Sequence, residues 1–304
     1  MGFSLTFKAH VKRWPSQSNT LRATLIFALV IALAGSCAAQ GQGDAIPYRT
    51  MVPVSIDGKP YKLELSVHKP AGAGPFPTLV FNHGSTGYGT DPSRFTLSVE
   101  NRSIAAFFVS LGWVVVFPAR RGRGGSEGEY DEGFSVPRFL GYSCIPSLSL
   151  AGEQRALMDI GAAWEAVSAF PFVDPRRMAI GGQSRGGALS VAFAGTHAST
   201  VKGVINFVGG WLGSPCPTAA SVNDHVFRAG AAYPGQSLWL YASGDRYYSL
   251  AQSSSAHQSF LAAGGRASFH SYEISSPYGH DLHRRPDLWG KDVLKYLRTL
   301  HGGG

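Results

Sequence analysis

Alternating and continuous runs of apolar residues divide the chain after residue 48 into short predicted strands. Thr50–Ile56 and Tyr61–Val67 alternate apolar and polar residues on either side of Asp57-Gly58, and such a pair predicts an antiparallel hairpin. Apolar runs bounded by turn residues are typical of strands that are buried on both faces of a sheet. The further predicted strands are Phe76–Phe81, Trp113–Phe117, Met178–Ile180, Val201–Phe207, Leu238–Tyr241 and Ser268–Ile274.

Segments with apolar residues at helical spacing lie between these strands. The predicted helices include Asn101–Leu111, Ala151–Phe170, a helix directly after Ser184, and Asp287–Leu300. Strands that alternate with helices imply a mostly parallel sheet covered by helices on both faces. The sequence has no internal repeat and no low-complexity linker, so we predict a single α/β domain over residues 40–304.

The sequence Gly182-Gln183-Ser184-Arg185-Gly186 lies between a predicted strand and a run of small residues at helical spacing, and it fits the pattern G-x-S-x-G. A serine on a sharp strand-to-helix turn has a strained backbone, so its neighbours two positions away must be nearly free of side-chain atoms. Such a turn exposes the hydroxyl and directs the next backbone N–H toward an oxyanion formed there. Ser184 is therefore the candidate nucleophile, and the alternative is a buried serine in a glycine-rich turn.

This strand, motif and helix resemble the α/β-hydrolase fold, and the flanking sequence is similar to its dienelactone-hydrolase-like and serine-peptidase-like branch. The resemblance implies a mostly parallel sheet of about eight strands, with helices on both faces and an antiparallel N-terminal hairpin. Two features depart from these relatives. Dienelactone hydrolases proper use cysteine as the nucleophile, and the peptidases carry a large extra domain for which residues 40–304 leave no room. Both departures favour an esterase.

The loop Asn82-His83-Gly84-Ser85-Thr86-Gly87 follows the predicted strand Phe76–Phe81. In the resembled family, His-Gly after this strand opens the loop that supplies one N–H of the oxyanion hole. The resemblance therefore implies the backbone N–H groups of Ser85 and Arg185 as the two donors, with Gly84 as the alternative to Ser85. His83 is expected to pack rather than to carry a proton. The competing interpretation is that this loop is only a turn.

A serine nucleophile needs a base, and the base needs a carboxylate that orients it. In the resembled fold the acid and then the histidine follow the nucleophile along the chain. Asp245 comes after a predicted strand where the family places its acid, and Asp224 is the weaker alternative. His280 lies in a turn-rich loop after the last predicted strand, where the family places its histidine, and His283 is the alternative.

The charge of the chain changes this picture little. Its 304 residues are 44% hydrophobic and 15% charged, which is typical of a globular protein. The net charge is +8, but residues 1–43 hold four basic residues and no acid, which leaves +4 elsewhere. The one short basic run is Arg120-Arg121-Gly122-Arg123, so we predict no nucleic-acid binding. These arginines are expected to hold loop carbonyls and carboxylates, and the alternative is that they hold an acidic substrate group.

The N-terminal segment has the parts of an export signal: basic residues, an apolar run over residues 23–35 and then small residues. We predict that residues 1–39 are a signal peptide, with an uncleaved anchor or a buried helix as alternatives. Leu33–Cys37 also resembles a bacterial lipobox, in which Cys37 would carry a lipid, and this competes with cleavage after Ala39. The protein is thus expected in the bacterial periplasm, outside the cell, or on a membrane through a lipid on Cys37 alone.

The three cysteines are Cys37, Cys144 and Cys216. If the first is removed or lipidated, the other two form an even pair in an oxidising compartment, which predicts a Cys144–Cys216 disulfide rather than two free thiols. Both lie in loops that leave the face of the sheet where the serine lies, so the bridge would fasten the rim of the site. Four rim aromatics are candidates for a substrate pocket or for lid packing alone: Tyr142, Trp211, Tyr247 and Tyr248.

Together these features predict a secreted serine hydrolase that cleaves carboxylic esters through Ser184, His280, Asp245 and an acyl-enzyme. A serine peptidase that acts on short peptides and a non-catalytic binding protein with a hydrolase fold are the alternatives. The substrate is expected to be a small-molecule ester or a short peptide. We predict no cofactor and no metal, since no Cys/His cluster has the spacing of a zinc site.

Overall fold

The computed structural model describes residues 1–2 and 47–301, and eight of its strands form one sheet in the order β1-β2-β4-β3-β5-β6-β7-β8. Pairing is antiparallel from β1 to β2 and from β2 to β4, and parallel from β4 onward to β8. The predicted fold class is therefore confirmed. The strands are β1 Tyr48–Ile56, β2 Lys59–His68, β3 Phe76–Asn82, β4 Val114–Pro118, β5 Val173–Gln183, β6 Gly203–Phe207, β7 Ser237–Ala242 and β8 Ala267–Tyr272.

The antiparallel start of the sheet is the predicted hairpin. β1 and β2 pair from Tyr48 opposite Val67 to Ile56 opposite Lys59. The two residues between them, Asp57 and Gly58, have φ values of 51° and 71°. Positive φ at both central positions is the turn whose twist matches that of the flanking strands, and Asp-Gly is a preferred sequence for it.

Within the described residues, five α-helices connect the parallel strands and a sixth follows the last strand. They are α1 Arg102–Ser110, α2 Pro146–Ser168, α3 Arg185–Thr196, α4 Ala219–Ala229, α5 Leu250–Ala262 and α6 Pro286–His301. α2 begins five residues before the predicted Ala151, because Pro146 occupies a first-turn position where a missing backbone N–H costs nothing. α1 begins directly after Asn101, whose side chain accepts a hydrogen bond from the N–H of Ile104.

The parallel register brings the loops that carry candidate residues to the carboxyl ends of adjacent strands. Asn82 at the end of β3 pairs with Gly182 in β5, and Gln183 pairs with Phe207 at the end of β6. The strand interiors beneath these ends are buried and apolar, as in Val114–Val116 of β4 and Leu238–Leu240 of β7. The core therefore holds the strand ends rigidly, and the loops above them can differ in sequence.

The predicted signal peptide, the lipobox with Cys37 and the domain boundary after residue 39 lie outside the described residues. Among residues 47–301, no helix combines the length and the apolar character that crossing a membrane would require.

Candidate active site

Ser184 lies at the turn between β5 and α3, with φ 58° and ψ −127°. A positive φ is strained for a residue with a side chain. A Cβ on Gly182 would lie 2.4 Å from backbone atoms of Gly186, and a Cβ on Gly186 would lie 2.1 Å from the carbonyl oxygen of Asn82. The close packing that the G-x-S-x-G pattern requires is therefore present, and only glycine fits at either position.

Asp245 and His280 are 35 positions apart and form a hydrogen-bonded pair beyond the end of β7. The Asp245 side chain is fully buried, and its Oδ2 lies 2.9 Å from His280 Nδ1. Its Oδ1 accepts the backbone N–H groups of Tyr247 and Tyr248 at 2.7 and 3.1 Å. Because the carboxylate acts as the acceptor, Nδ1 carries the imidazole proton and Nε2 keeps a free lone pair. In this tautomer a histidine can accept a proton from a hydroxyl.

Tyr248 contacts both the candidate nucleophile and the candidate base. Its ring centroid lies 5.7 Å from that of His280. Its hydroxyl donates to the carbonyl of Gly210 at 2.7 Å and lies near enough to the side chain of Ser184 to interact with it. Within residues 47–301 no hydrogen bond joins the side chains of Ser184 and His280.

The loop after β3 packs directly on the nucleophile. A Cβ on Gly84 would lie 3.0 Å from Cβ of Ser184 and 2.6 Å from Oε1 of Gln183. This close approach places Ser85 beside the turn, where its hydroxyl donates to Gly87 O at 3.1 Å and its backbone N–H has no acceptor in the described part of the chain. The N–H of Arg185 is the first of α3 and has no acceptor within the helix. Both groups can therefore donate to a ligand atom.

The rival candidates occupy other environments. Asp224 lies on α4, where it pairs with Arg228 at 2.8 Å and accepts a hydrogen bond from Ser259. His283 is buried, and burial together with Arg284 and His280 lowers the pKa of its imidazole to about 3. A histidine that resists protonation to this degree is a weaker general base than one oriented by a carboxylate.

The side chain of Arg185 has a role that the sequence did not indicate. Its guanidinium lies 3.7 Å from the ring centroid of Tyr142 and 4.2 Å from that of Trp211. Its Nε donates to the Trp211 carbonyl at 3.0 Å, and its Nη1 donates to the Glu132 carbonyl at 2.9 Å. The residue after Ser184 therefore holds the loop after β4 and the loop after β6 together.

Glu132 is a buried carboxylate between two arginines, and the sequence analysis missed it. Its Oε1 accepts Nε of Arg120 at 2.5 Å, and its Oε2 accepts the Tyr130 hydroxyl at 2.9 Å and lies 3.4 Å from Nη1 of Arg185. Burial opposes the charge, but Arg120 and Arg185 lower the pKa of this carboxyl below its ordinary value. Glu132 is therefore ionised at neutral pH. Nothing in its local sequence distinguishes it from the exposed acids of the same loop.

Replacing Glu132 by glutamine is expected to lower the free energy of unfolding by about 3–5 kcal/mol, because a buried charge that loses its partner keeps its desolvation cost. Two guanidinium groups, those of Arg120 and Arg185, lose their counter-charge. Urea denaturation measures the loss. Glu129→Gln is the matched control in the same loop: the Glu129 side chain is 71% exposed and pairs with Arg138, so its loss is expected below about 1 kcal/mol. Equal losses would contradict the assignment.

The predicted disulfide is confirmed. Cys144 and Cys216 are bonded, with their Cα atoms 5.2 Å apart and 72 positions between them in the chain. Cys144 lies just before α2 and Cys216 lies just before α4. The bridge therefore joins the same two rim loops that Arg185 joins from below.

The bridge is expected to contribute about 2–4 kcal/mol to the free energy of unfolding, since it closes a long loop in the unfolded chain. Replacing Cys144 and Cys216 together by serine should shift the denaturant midpoint down accordingly. The added reductant dithiothreitol should shift the wild-type midpoint by a similar amount and leave the double variant unchanged. A wild-type midpoint that reductant does not move, in a sample shown to be reduced, would contradict this prediction.

The four candidate rim aromatics fall into two environments. Trp211 is buried, and its indole N–H donates to Ser149. Tyr142 is held by Tyr130, with 2.7 Å between the hydroxyl oxygens. Tyr247 is part-exposed and packs edge-on against His280, with 4.6 Å between ring centroids. Of the four, Tyr247 therefore has the position best suited to touch a substrate, while Tyr248 lies beside the candidate base, with 5.7 Å between the ring centroids.

Comparison with known proteins gives a match to one family. The sequence profile of the acetyl xylan esterase family (AXE1) matches residues 62–209. This span contains Ser184 but neither Asp245 nor His280. A search of curated protein sequences finds no match.

Several solved structures are similar to this chain. An acetyl xylan esterase from Paenibacillus sp. R4 has a TM-score of 0.59 and 14% identity, over 84% of this chain and 89% of that one. Est1E from Butyrivibrio proteoclasticus, solved with ferulic acid, has a TM-score of 0.53 and 13% identity, over 81% and 99%. A proposed dipeptidyl aminopeptidase IV from Bacteroides ovatus has a TM-score of 0.57 and 15% identity, over 84% of this chain but 36% of that one. At such identities the likeness concerns the fold.

Proposed function

Because the chain has the α/β-hydrolase fold, we propose that it is an exported serine hydrolase that cleaves carboxylic esters of small molecules through an acyl-enzyme. The observation that carries the proposal is the 2.9 Å hydrogen bond between His280 and the buried Asp245, beyond a strand end near the strained Ser184. The match to the acetyl xylan esterase family supports an ester rather than an amide as the bond cleaved.

In the proposed reaction, Ser184 Oγ attacks the ester carbonyl while Nε2 of His280 takes its proton. Asp245 keeps the imidazole in the required tautomer and stabilises the imidazolium that forms. The backbone N–H groups of Ser85 and Arg185 stabilise the tetrahedral oxyanion. His280 then protonates the leaving alcohol and activates a water molecule, which releases the acid from Ser184.

The resting contact between Ser184 and Tyr248 fits this sequence of events. The Tyr248 hydroxyl donates to the Gly210 carbonyl near Ser184, and burial raises the pKa of the Tyr248 phenol far above neutrality. The phenol therefore does not compete as a base.

The proposal is tested with a series of neutral esters of graded acyl length, together with an aminoacyl 4-nitroanilide. Hydrolysis of the esters is expected at rates well above the rate for the anilide, and a fluorophosphonate probe is expected to label Ser184, as located by peptide mass mapping. Turnover of the anilide at a rate comparable with the esters would favour a peptidase. Failure of both turnover and labelling in folded protein would favour a non-catalytic binding protein.

A further inference from the structure

A cavity of about 260 Å³ lies against the loop after β3. Gly84, Ser85 and Gln183 line it where it adjoins the nucleophile turn, and Phe81 and Phe117 lie among its walls. Gly84 also packs on Ser184. Because Ser85 is also the proposed oxyanion donor, a ligand group in this cavity would lie beside that donor.

Arg123 lines this cavity and is 94% buried, since only 6% of its surface is exposed. Its Nη1 lies 3.4 Å from His83 Nδ1. That nitrogen already donates to the Gly84 carbonyl at 2.7 Å, while Nε2 of the same ring accepts the backbone N–H of Arg120 at 3.2 Å. With its proton on Nδ1, His83 offers Arg123 no lone pair. Arg123 therefore has no hydrogen-bond acceptor among the described residues.

Other groups near Arg123 compensate its charge only in part. The guanidinium lies 5.2 Å from the ring centroid of Tyr130, which is a weak attraction. Glu132 is close enough to feel the charge of Arg123 but is bonded to Arg120 and Arg185. A buried guanidinium without an acceptor is costly, and charged groups in protein interiors are normally paired. The Nε of Arg123 is also buried without a partner.

The rest of the lining adds positive charge. Arg94 and Arg284 also line the cavity, and Glu100 is the one acidic residue in its lining. Glu100 faces three cationic or titratable groups at 3.5–4.0 Å, namely Arg49, His68 and Arg102. Arg284 lies 3.6 Å from Asp281. The cavity therefore presents an excess of positive charge beside the nucleophile turn, and it favours an anionic occupant.

We propose that this cavity binds a carboxylate group, held by the guanidinium of Arg123, and that the preferred substrates are esters that carry a second, free carboxylate. This inference rests on the proposed esterase function and names its substrate class. A planar guanidinium matches a carboxylate with two parallel hydrogen bonds.

The experiment compares kcat/KM within two matched pairs of esters. The first pair is 4-acetoxybenzoate and the neutral 4-acetoxyacetophenone, which place the charge on the alcohol side. The second is monoethyl adipate and ethyl 6-oxoheptanoate, which place it on the acyl side. In Arg123→Met the charged-to-neutral ratio is expected to fall by about 10- to 100-fold for at least one pair. Arg123→Lys should recover part of the ratio, because lysine keeps the positive charge but cannot form the two parallel hydrogen bonds of a guanidinium.

Arg102→Met is the matched control. Arg102 is 91% exposed, lies 3.5 Å from Glu100 and does not line the cavity, so the same loss of charge there should leave both ratios within about threefold. Ratios that are unchanged in folded Arg123→Met and Arg123→Lys would overturn the substrate assignment.

A binding measurement separates the two sources of a carboxylate and does not depend on turnover. Adipate and 4-hydroxybenzoate at constant ionic strength should raise the Tm of the wild type and not that of the Arg123 variants. If this occurs without any preference for charged esters, the site is supported and its ligand is a free carboxylate anion. If neither anion raises the wild-type Tm and no ratio changes, the site is refuted. If the enzyme does not hydrolyse the neutral esters, the proposed function is contradicted. The Tm measurement then decides by itself whether the cavity binds a carboxylate.

Discussion

Ser184→Ala is expected to lower kcat for ester hydrolysis by about 10⁶-fold, to a residual rate supplied by the oxyanion donors and substrate binding. The variant removes the only group that the proposal allows to form the acyl-enzyme. Alanine tolerates the strained φ of 58° as well as serine does, and the deletion removes only one hydroxyl group. The fold should therefore survive, which circular dichroism and the Tm can establish. Initial rates with a neutral acetate ester measure the effect.

Ser190→Ala is the matched control for this variant. Ser190 lies on the same helix, is fully buried, and bonds Gly186 O and Asn82. It occupies the interior of α3 and not the turn, so its loss should change kcat by less than about tenfold and act mainly on stability. A folded Ser184→Ala protein that keeps more than a hundredth of the wild-type kcat would remove the covalent mechanism from consideration.

Asp245→Asn is expected to lower kcat by about 10⁴-fold with little change in KM. Oδ1 of Asp245 accepts two backbone N–H groups, from Tyr247 and Tyr248. Asparagine must keep its carbonyl oxygen in that place, so its NH₂ group faces His280 Nδ1. The imidazole then accepts at Nδ1 and carries its proton on Nε2, where it can no longer take the proton of Ser184. The defect should be partly relieved at high pH, where hydroxide can replace the base.

The control is Asp281→Asn, one residue from the candidate base. The Asp281 side chain is 52% exposed and lies 3.6 Å from Arg284, so its loss should change kcat by less than about threefold. If the two asparagine variants lost activity equally, Asp245 would be an ordinary loop residue and the carboxylate partner of His280 would have to be found elsewhere.

Local chemistry made much of this molecule predictable. The hairpin turn at Asp57-Gly58 and the glycines around Ser184 are steric requirements of a few adjacent residues, and both appear as such in the structure. The apolar runs located the parallel strands to within a few residues, because strands buried on both faces tolerate little else. β5 was underestimated: it extends from Val173 to Gln183, through Asp174 and two arginines that face solvent before the apolar run begins.

The buried polar network of the rim could not be predicted in the same way. Glu132 meets Arg185 across 53 positions and Arg120 across 12, and no short-range pattern encodes such partners. The environment of Arg123 could not be predicted from its neighbours in the sequence either. Its sequence context, R-G-R-G-G-S, suggested an arginine that holds loop carbonyls and carboxylates, whereas the fold buries this one against a cavity and assigns the carboxylates to its neighbours.

The position of Arg185 has a consequence for engineering this scaffold. Loop exchange, in which one surface segment is replaced to alter selectivity, assumes that segments above a rigid sheet are independent modules. Here the segment after β4 and the segment after β6 share a single guanidinium and a covalent crosslink. Replacing either segment alone would leave the Arg185 contacts and the disulfide without their partners in the other segment. Diversification should therefore exchange both segments together, or begin at Tyr88 and Tyr278, which take no part in these links and face solvent.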